Sequence, residues 1–523
     1  VQKMRVEQKT NVKNGVKRLV FAALSVLFQV SWFTVLVVGL SAYFTYISIG
    51  FSVVALIIAV RLYSRHTNNA LKMPWIIVIL AFPVMGLTLY LLTGHSRLYK
   101  TLRHRFHDIA EELNEAIPQD MEIVEEMREE APERVDLAEY LSGWNNYPVY
   151  RNTDVHFYAE AIDGLHAQIE DLKNAENFIF LEYHAIEDKE SFAPMKEILI
   201  EKAAAGVDVR IFYDDMGSLW FINGEFKRQM EDAGIKCRVF NPIVPFLNMF
   251  MNNRDHRKIL VIDGKVGYTG GYNLANEYFN LTHPFGYWKD TGIRLEGDAV
   301  ATFTALFLTM WYAMEKKKPS FSDREDFTKF FPEINYTSKD NGFVQPYGDS
   351  PLDHEPVGEN VYISLVNRAR NYVWFVTPYL ILSDDMIRSL TFAAKRGVDV
   401  RIITPGIPDK KFVYQMTRSY YASLVSSGVK IYEYTPGFSH AKMCITDGIA
   451  GTVGTINMDF RSFYLHFENG VLLSHCKALN AIHNDFIDMI EASEEVTEQY
   501  KKDNRSYLKR SIQCILRLIA PLF

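Results

Sequence analysis

Charge is missing from the long stretch between Val20 and Val60, where no Lys, Arg, Asp or Glu occurs. A second uncharged run extends from Met73 to Gly94 (MPWIIVILAFPVMGLTLYLLTG). Each exceeds the apolar core of a secretory signal, and no small-residue cleavage site follows, so neither reads as a removable leader. The first run is too long for a single crossing of ~20 residues and reads as two helices turning near Tyr43 to Ser48. The predicted spans are 19–42, 46–61 and 73–94, with two crossings as the fallback. Basic residues crowd the N-terminus, the loop Arg61 to Lys72 and the stretch Arg97 to Arg105. These clusters nearly cancel, and the positive-inside rule sets no orientation. Cysteine is scarce. Cys237, Cys444, Cys476 and Cys514 show no CxxC or other metal-ligand spacing, so they read as ordinary thiols and no metal site is expected. A positive balance is lacking too: the formal net charge is −7, which argues against a general nucleic-acid binder.

What is present is a chain of 523 residues, 48% hydrophobic, long enough for two to four structural units. The expected organisation is a membrane anchor over 1–105, an acidic helical connector over 106–145 and a first α/β lobe over 146–320. A second lobe over 321–500 and a basic amphipathic helix over 501–523 complete it. The connector carries Glu111, Glu112, Glu125, Glu126, Glu129 and Glu130, the composition of a solvated helix. The C-terminal helix mixes Arg505, Lys509, Arg510 and Arg517 with apolar residues. It suits either an anionic lipid surface or docking on its own domain.

The two lobes are read from an internal repeat. Gly206-Val-Asp-Val-Arg-Ile211 recurs as Gly397-Val-Asp-Val-Arg-Ile402, and Ala233-Gly-Ile-Lys236 as Ser427-Gly-Val-Lys430. Short apolar runs such as Phe178 to Leu181 and Tyr372 to Val376 alternate with helical segments, the signature of α/β layers. Two similar halves then pack as one bilobed catalytic unit, joined by a polar segment near Lys316 to Asn341.

Within the repeat, His256-Arg-Lys258-Ile-Leu-Val-Ile-Asp263 is answered by His440-Ala-Lys442-Met-Cys-Ile-Thr-Asp447. His440, Lys442, Asp447, Gly454 and Asn457 each stand 184 positions after His256, Lys258, Asp263, Gly270 and Asn273. One His-x-Lys-x4-Asp match arises by chance in roughly a few per cent of chains this size; a second in strict register removes that explanation. Ile259 to Ile262 and Met443 to Thr446 read as strands, so each His and Lys at i and i+2 project from one face and can reach one phosphate. The lysines supply charge to phosphoryl oxygens, and Asn273 and Asn457 can donate to charge building at phosphorus. Asp263 and Asp447 fall at strand ends before a glycine turn, where a turn-forming role is at least as well founded as a catalytic one. A neutral imidazole becomes a usable nucleophile when a carboxylate holds its other nitrogen. The candidates are Asp290, in Lys-Asp-Thr-Gly, and Glu468, in Phe-Glu-Asn-Gly; they match across the repeat if the first half carries a short insertion. His184, His283, His354 and His466 lie outside the register and read as surface or packing residues.

The doubled motif resembles the phospholipase D superfamily, and more closely its bacterial cardiolipin synthase branch. Gly270-Gly-Tyr-Asn273, Tyr287-Trp-Lys-Asp290, Thr377-Pro-Tyr379, Gly454-Thr-Ile-Asn457-Met-Asp-Phe-Arg461-Ser462, Phe467-Glu468 and the C-terminal Leu516 to Phe523 carry the likeness. The resemblance implies a phosphatidyltransferase bound to the bacterial cell membrane by several passes, with phosphatidylglycerol and anionic membrane lipid as its partners. It implies no cofactor and no nucleic acid. One histidine, His256 by analogy, would attack phosphorus and displace glycerol; His440 would serve as acid and base, and a second phosphatidylglycerol would take the phosphatidyl group to give cardiolipin. The same residues would serve a phospholipase D that hands the intermediate to water, or another phosphatidyltransferase.

Overall fold

A computed structural model describes residues 44–65, 68–94, 97–242, 252–315, 326–501 and 516–518, with scattered positions between 20 and 35. Two mixed sheets dominate it. The first runs in the order Thr153–Tyr158, Gly292–Gly297, Val266–Gly270, Lys258–Ile262, Phe178–Tyr183, Asp208–Asp214, Lys236–Phe240. The second repeats that order with Phe343–Asp349, His466–Ser474, Ala450–Gly454, Met443–Thr446, Tyr372–Val376, Asp399–Pro405 and Lys430–Tyr434, and adds Ser493–Glu495 at its edge. In each lobe the central strand pairs in parallel with the next strand along the chain and antiparallel with the strand of the His-x-Lys motif. Helices Ala193–Ala204 and Asp384–Lys395 make the crossovers that parallel pairing requires. Phe178–Tyr183 is buried along its whole length, which explains a continuous apolar run where a half-exposed strand would alternate.

The lobes share a core. Helix Val300–Ala313, apolar on nearly every face, is buried between them, and one cluster joins Phe180, Phe303 and Phe307 of the first lobe to Met443, Val453 and Phe467 of the second. The acidic connector is three helices, Arg97–Asn114, Met121–Glu130 and Val135–Asn145. It is less solvated than its composition suggests: Leu113, Val124, Met127, Leu137 and Leu141 are buried.

The expected anchor differs from the structure. The span predicted over 73–94 is two helices, Asn69–Ala81 and Pro83–Gly94. Pro83 brings no N–H and restricts the residue before it, and Phe82 leaves the helical region at φ −134° and ψ 73°. The span over 46–61 lies inside helix Phe44–Tyr63, while 19–42 lies outside the described residues apart from the scattered positions. Among the described residues, no helix is long and apolar enough to cross a membrane. The expected N-terminal transmembrane helices are therefore not found there. Of the segment 501–523, residues 516–518 are described beyond Lys501, and Arg517 donates to Ser419 Oγ at 3.3 Å while its guanidinium stacks on Tyr420. That piece sits on helix Lys411–Val425 of the second lobe.

Asp263 and Asp447 occupy left-handed turns at φ 51° and 53°. Asp263 accepts from the backbone N–H groups of Glu176, Asn177 and Phe178 at 2.7–2.8 Å. Asp447 does the same for Arg370, Asn371 and Tyr372 at 2.8–2.9 Å. Each carboxylate thus ties the start of its lobe's central strand, at the far end of the motif strand from the histidine. Asp263→Ala leaves three donors without their acceptor and is expected to lower stability by about 2–4 kcal/mol, read as a shifted denaturation midpoint, with a smaller loss for Asp263→Asn.

Candidate active site

His256 and His440 stand just before their motif strands, where short extensions cross from lobe to lobe. Arg254–Asp255 pairs in parallel with His466–Phe467 of the second lobe, and the His256 N–H donates to the Phe467 carbonyl at 2.9 Å. In mirror fashion, Gly437–Ser439 pairs with Tyr287–Lys289 of the first lobe, and the His440 N–H donates to the Lys289 carbonyl at 2.7 Å. The side chains follow the backbones. His256 Nδ1 lies 2.9 Å from both carboxylate oxygens of Glu468, and His440 Nδ1 lies 2.7 Å from Asp290 Oδ2. Each histidine is therefore held by a carboxylate from the other lobe, and both carboxylates are fully buried.

The two clamps differ in detail. Glu468 also accepts from the Thr455 hydroxyl. At the matching position of the first lobe stands Gly271, where an added Cβ would lie 2.0 Å from Asp290 Oδ1. The shorter carboxylate needs a glycine beside it; the longer one takes a hydroxyl.

Lys258 and Lys442 are buried beside the rings. Lys258 Nζ donates to the His256 carbonyl at 2.6 Å, and Lys442 Nζ donates to the His440 carbonyl and lies 2.8 Å from His440 Nδ1. Asn273 accepts from the Ala185 N–H at 3.2 Å and donates to the Tyr278 hydroxyl at 2.8 Å. Asn457 is buried, and its Oδ1 has no hydrogen-bond partner among the described residues. Two histidines that read as packing residues adjoin the site instead. The His184 ring is 5.0 Å and the His466 ring 5.4 Å from that of His256. His466 precedes Glu468 by two residues on one strand, so the period-2 rule already placed it on the same face. His283 and His354 are both exposed, as surface residues would be. His256, His466 and Glu468 bring ligand-type atoms within 4.8 Å of one another. The positive fields of Lys258 and Lys442 fall on the same imidazole, surroundings that favour an anion over a cation.

Comparison with known proteins bears on this geometry. The family model described as "Cardiolipin synthase, PLD-like domain" matches residues 169–311 and 362–490, and one described as "Phospholipase_D-nuclease N-terminal" matches 50–95. A cardiolipin synthase of Alkalihalophilus pseudofirmus is 33% identical over 512 residues, covering 96% of this chain and 97% of that protein. The chain belongs to the phospholipase D-like cardiolipin synthase family. A cardiolipin synthase of Halalkalibacterium halodurans is likewise 33% identical, covering 90% of this chain and 92% of its own. An uncharacterized protein of Streptococcus mutans reaches 42% identity over 86% of this chain and 95% of its own length. Among solved structures, a phosphatidylserine synthase of Haemophilus influenzae superposes with a TM-score of 0.53 at 14% identity, covering 73% of this chain and 96% of that one. At that identity the likeness speaks for the fold alone. Membership makes the chain an enzyme of the phosphatidyltransferase type.

Burial sets the electrostatics of this family member's site. It holds both histidines well below the ordinary imidazole value, and the adjacent lysines push the same way. Both rings are thus neutral at pH 7. Burial likewise lowers Lys258 to about 8 and Lys442 to about 7, and raises Asp290 to about 6. A lysine is a cation below its own pKa, so raising the pH through 7 to 9 discharges the pair. The apparent KM for an anionic phosphodiester is therefore expected to rise severalfold across that range. The acid limb of the profile is expected below about 6.5, the free imidazole value. Steady-state kinetics against pH check both. Glu468→Gln and Asp290→Asn keep shape and lose the charge holding each Nδ1–H; each is expected to lower kcat on the order of 10²-fold or more, with the fold retained by circular dichroism.

Proposed function

We propose that this enzyme is a cardiolipin synthase that moves a phosphatidyl group between two phosphatidylglycerol molecules. The reading rests above all on two buried imidazoles, each with its Nδ1 on a carboxylate and both within the fields of the same two lysines. That arrangement supplies a nucleophile, a proton carrier and a positive site for a phosphodiester, with each side chain fixed before substrate arrives.

His440, paired with Asp290, takes up a proton as the anionic phosphodiester binds beside it. His256 Nε2 then attacks phosphorus, the P–O bond to glycerol breaks, and the His440 imidazolium gives that proton to the departing oxygen. His440 then removes the proton from a hydroxyl of the second phosphatidylglycerol. That oxygen attacks phosphorus, the P–N bond breaks and cardiolipin leaves. One phosphodiester replaces another, so charge and atoms balance without an external energy source. His256 suits the nucleophile because Glu468 clamps its Nδ1 with no lysine against it, whereas the Lys442 ammonium crowds His440 Nδ1. Lys258 and Lys442 neutralise the phosphoryl oxygens, and Asn457, with Asn273, orients the phosphate or the loops around it. Asp263 and Asp447 act through the fold. The substrate is a membrane lipid, which places the enzyme at the bacterial cell membrane.

Purified enzyme given phosphatidylglycerol alone is expected to release equimolar cardiolipin and free glycerol. Phosphatidic acid as the main product would assign the chain to hydrolysis instead. His256→Ala and His440→Ala should each lose at least ~10³-fold in turnover. A phosphoramidate trapped by acid-free quenching and mapped by mass spectrometry is expected on His256; its appearance on His440 would exchange the two roles.

A further inference from the structure

Helices Asn69–Ala81 and Pro83–Gly94 do not continue one another: they fold back. The Trp75 and Tyr90 rings meet at 5.7 Å, and Ile79 and Leu87 share one small buried cluster. A Cβ on Gly86 would lie 2.5 Å from the Val78 carbonyl oxygen and 2.7 Å from Ile79 Cα, so the absent side chain lets the second helix close on the first. We propose that residues 69–94 form a re-entrant hairpin that enters and leaves the bilayer on the catalytic side, with Phe82–Pro83–Val84 as its apex in the hydrocarbon. The proposal rests on the membrane-surface reading above and specifies its geometry.

The hairpin's outer surface is apolar: Met73, Ile77, Leu80, Phe82, Met85 and Leu91 are all exposed. Helix Phe44–Tyr63 packs against it through Ala55 and Leu62 and exposes Val53, Ile57 and Val60. An apolar surface of this extent needs a cover, and the chemistry at its base names one. Arg61 and Arg65 are exposed there, while the buried Lys72 ties the segment that carries them, its Nζ donating to the Tyr63 and Arg65 carbonyls. A basic collar under an apolar finger fits anionic headgroups above acyl chains. The base is also tied to the second lobe, since Asn68 Nδ2 donates to the Tyr464 hydroxyl at 2.6 Å.

Length agrees with insertion into one leaflet, and part of the turn's backbone is paired internally. Thirteen and twelve residues extend ~20 and ~18 Å at 1.5 Å per residue, short of a core of ~30 Å. Backbone polar groups in hydrocarbon must be paired internally. At the turn, the Phe82 N–H donates to the Val78 carbonyl at 3.0 Å, the Gly86 N–H donates to the Phe82 carbonyl at 2.6 Å, and Pro83 has no N–H to satisfy.

The test uses the full chain carrying Cys514→Ser, its other cysteines being buried. Asn69→Cys, Phe82→Cys and His104→Cys are introduced singly and probed with a membrane-impermeant maleimide on intact spheroplasts and on inverted vesicles. Asn69→Cys and His104→Cys are expected to react from the same side, and Phe82→Cys from neither. A nitroxide on Phe82→Cys should report oxygen-accessible, nickel-protected depth. Reaction of the first two from opposite sides would mean a spanning helix and overturn the hairpin while leaving membrane association intact. Aqueous reaction at Phe82→Cys would overturn insertion. A chain that fails to sediment with membranes would remove hairpin and membrane reading together, whereas the product assay with phosphatidylglycerol tests the chemistry separately.

Discussion

Two imidazole–carboxylate contacts that cross between lobes are the constraint on which the site depends. His256 is held by Glu468 and His440 by Asp290. Each contact lies beside a two- or three-residue parallel ladder that also crosses. The lobes therefore cannot slide or rotate without losing both histidines' orientation together. A buried ion pair is weak support for stability in general. Here its value lies in geometry: each carboxylate sits on Nδ1 and so fixes which ring nitrogen carries the proton.

Burial has a second effect. A dry site makes charges expensive, so the histidines stay neutral and the lysines titrate near the working pH. A phosphodiester entering such a site meets cations poorly satisfied by water, and the interaction is stronger for it. The neighbouring Glu182, Asp255 and Arg257 form a further buried charged network under His256, with Arg257 Nη2 donating to Glu182 at 2.6 Å. That network braces the chain beside His256.

Much of this was legible in the repeat. Equal offsets from His256 to Asn273 and from His440 to Asn457 announced two lobes of one topology, and the sheets follow one strand order. Asp290 and Glu468 could be named as partners because a carboxylate follows each motif, yet a linear reading leaves open which imidazole each one holds. Crossing is a property of how the lobes dock, and no local pattern encodes it. His184 and His466 stand outside the repeat's register and so carry no signal from it, although the spacing of His466 from Glu468 places the two on one face. The run from Met73 to Gly94 looked like one crossing because hydropathy counts apolar residues and is blind to direction. Pro83 and Gly86, the residues that reverse the chain, carry no polarity to mark the turn.

The crossed clamps also say something about ancestry of form. A lobe taken alone presents an imidazole with no carboxylate and a carboxylate with no imidazole. Two identical copies about a two-fold axis would complete both pairs at once, as an isologous contact does. Joining the copies in one chain fixes their stoichiometry and releases them from sameness. Gly271 beside a short acid and Thr455 beside a long one are what that release looks like at atomic scale: the two halves solve one constraint with different side chains.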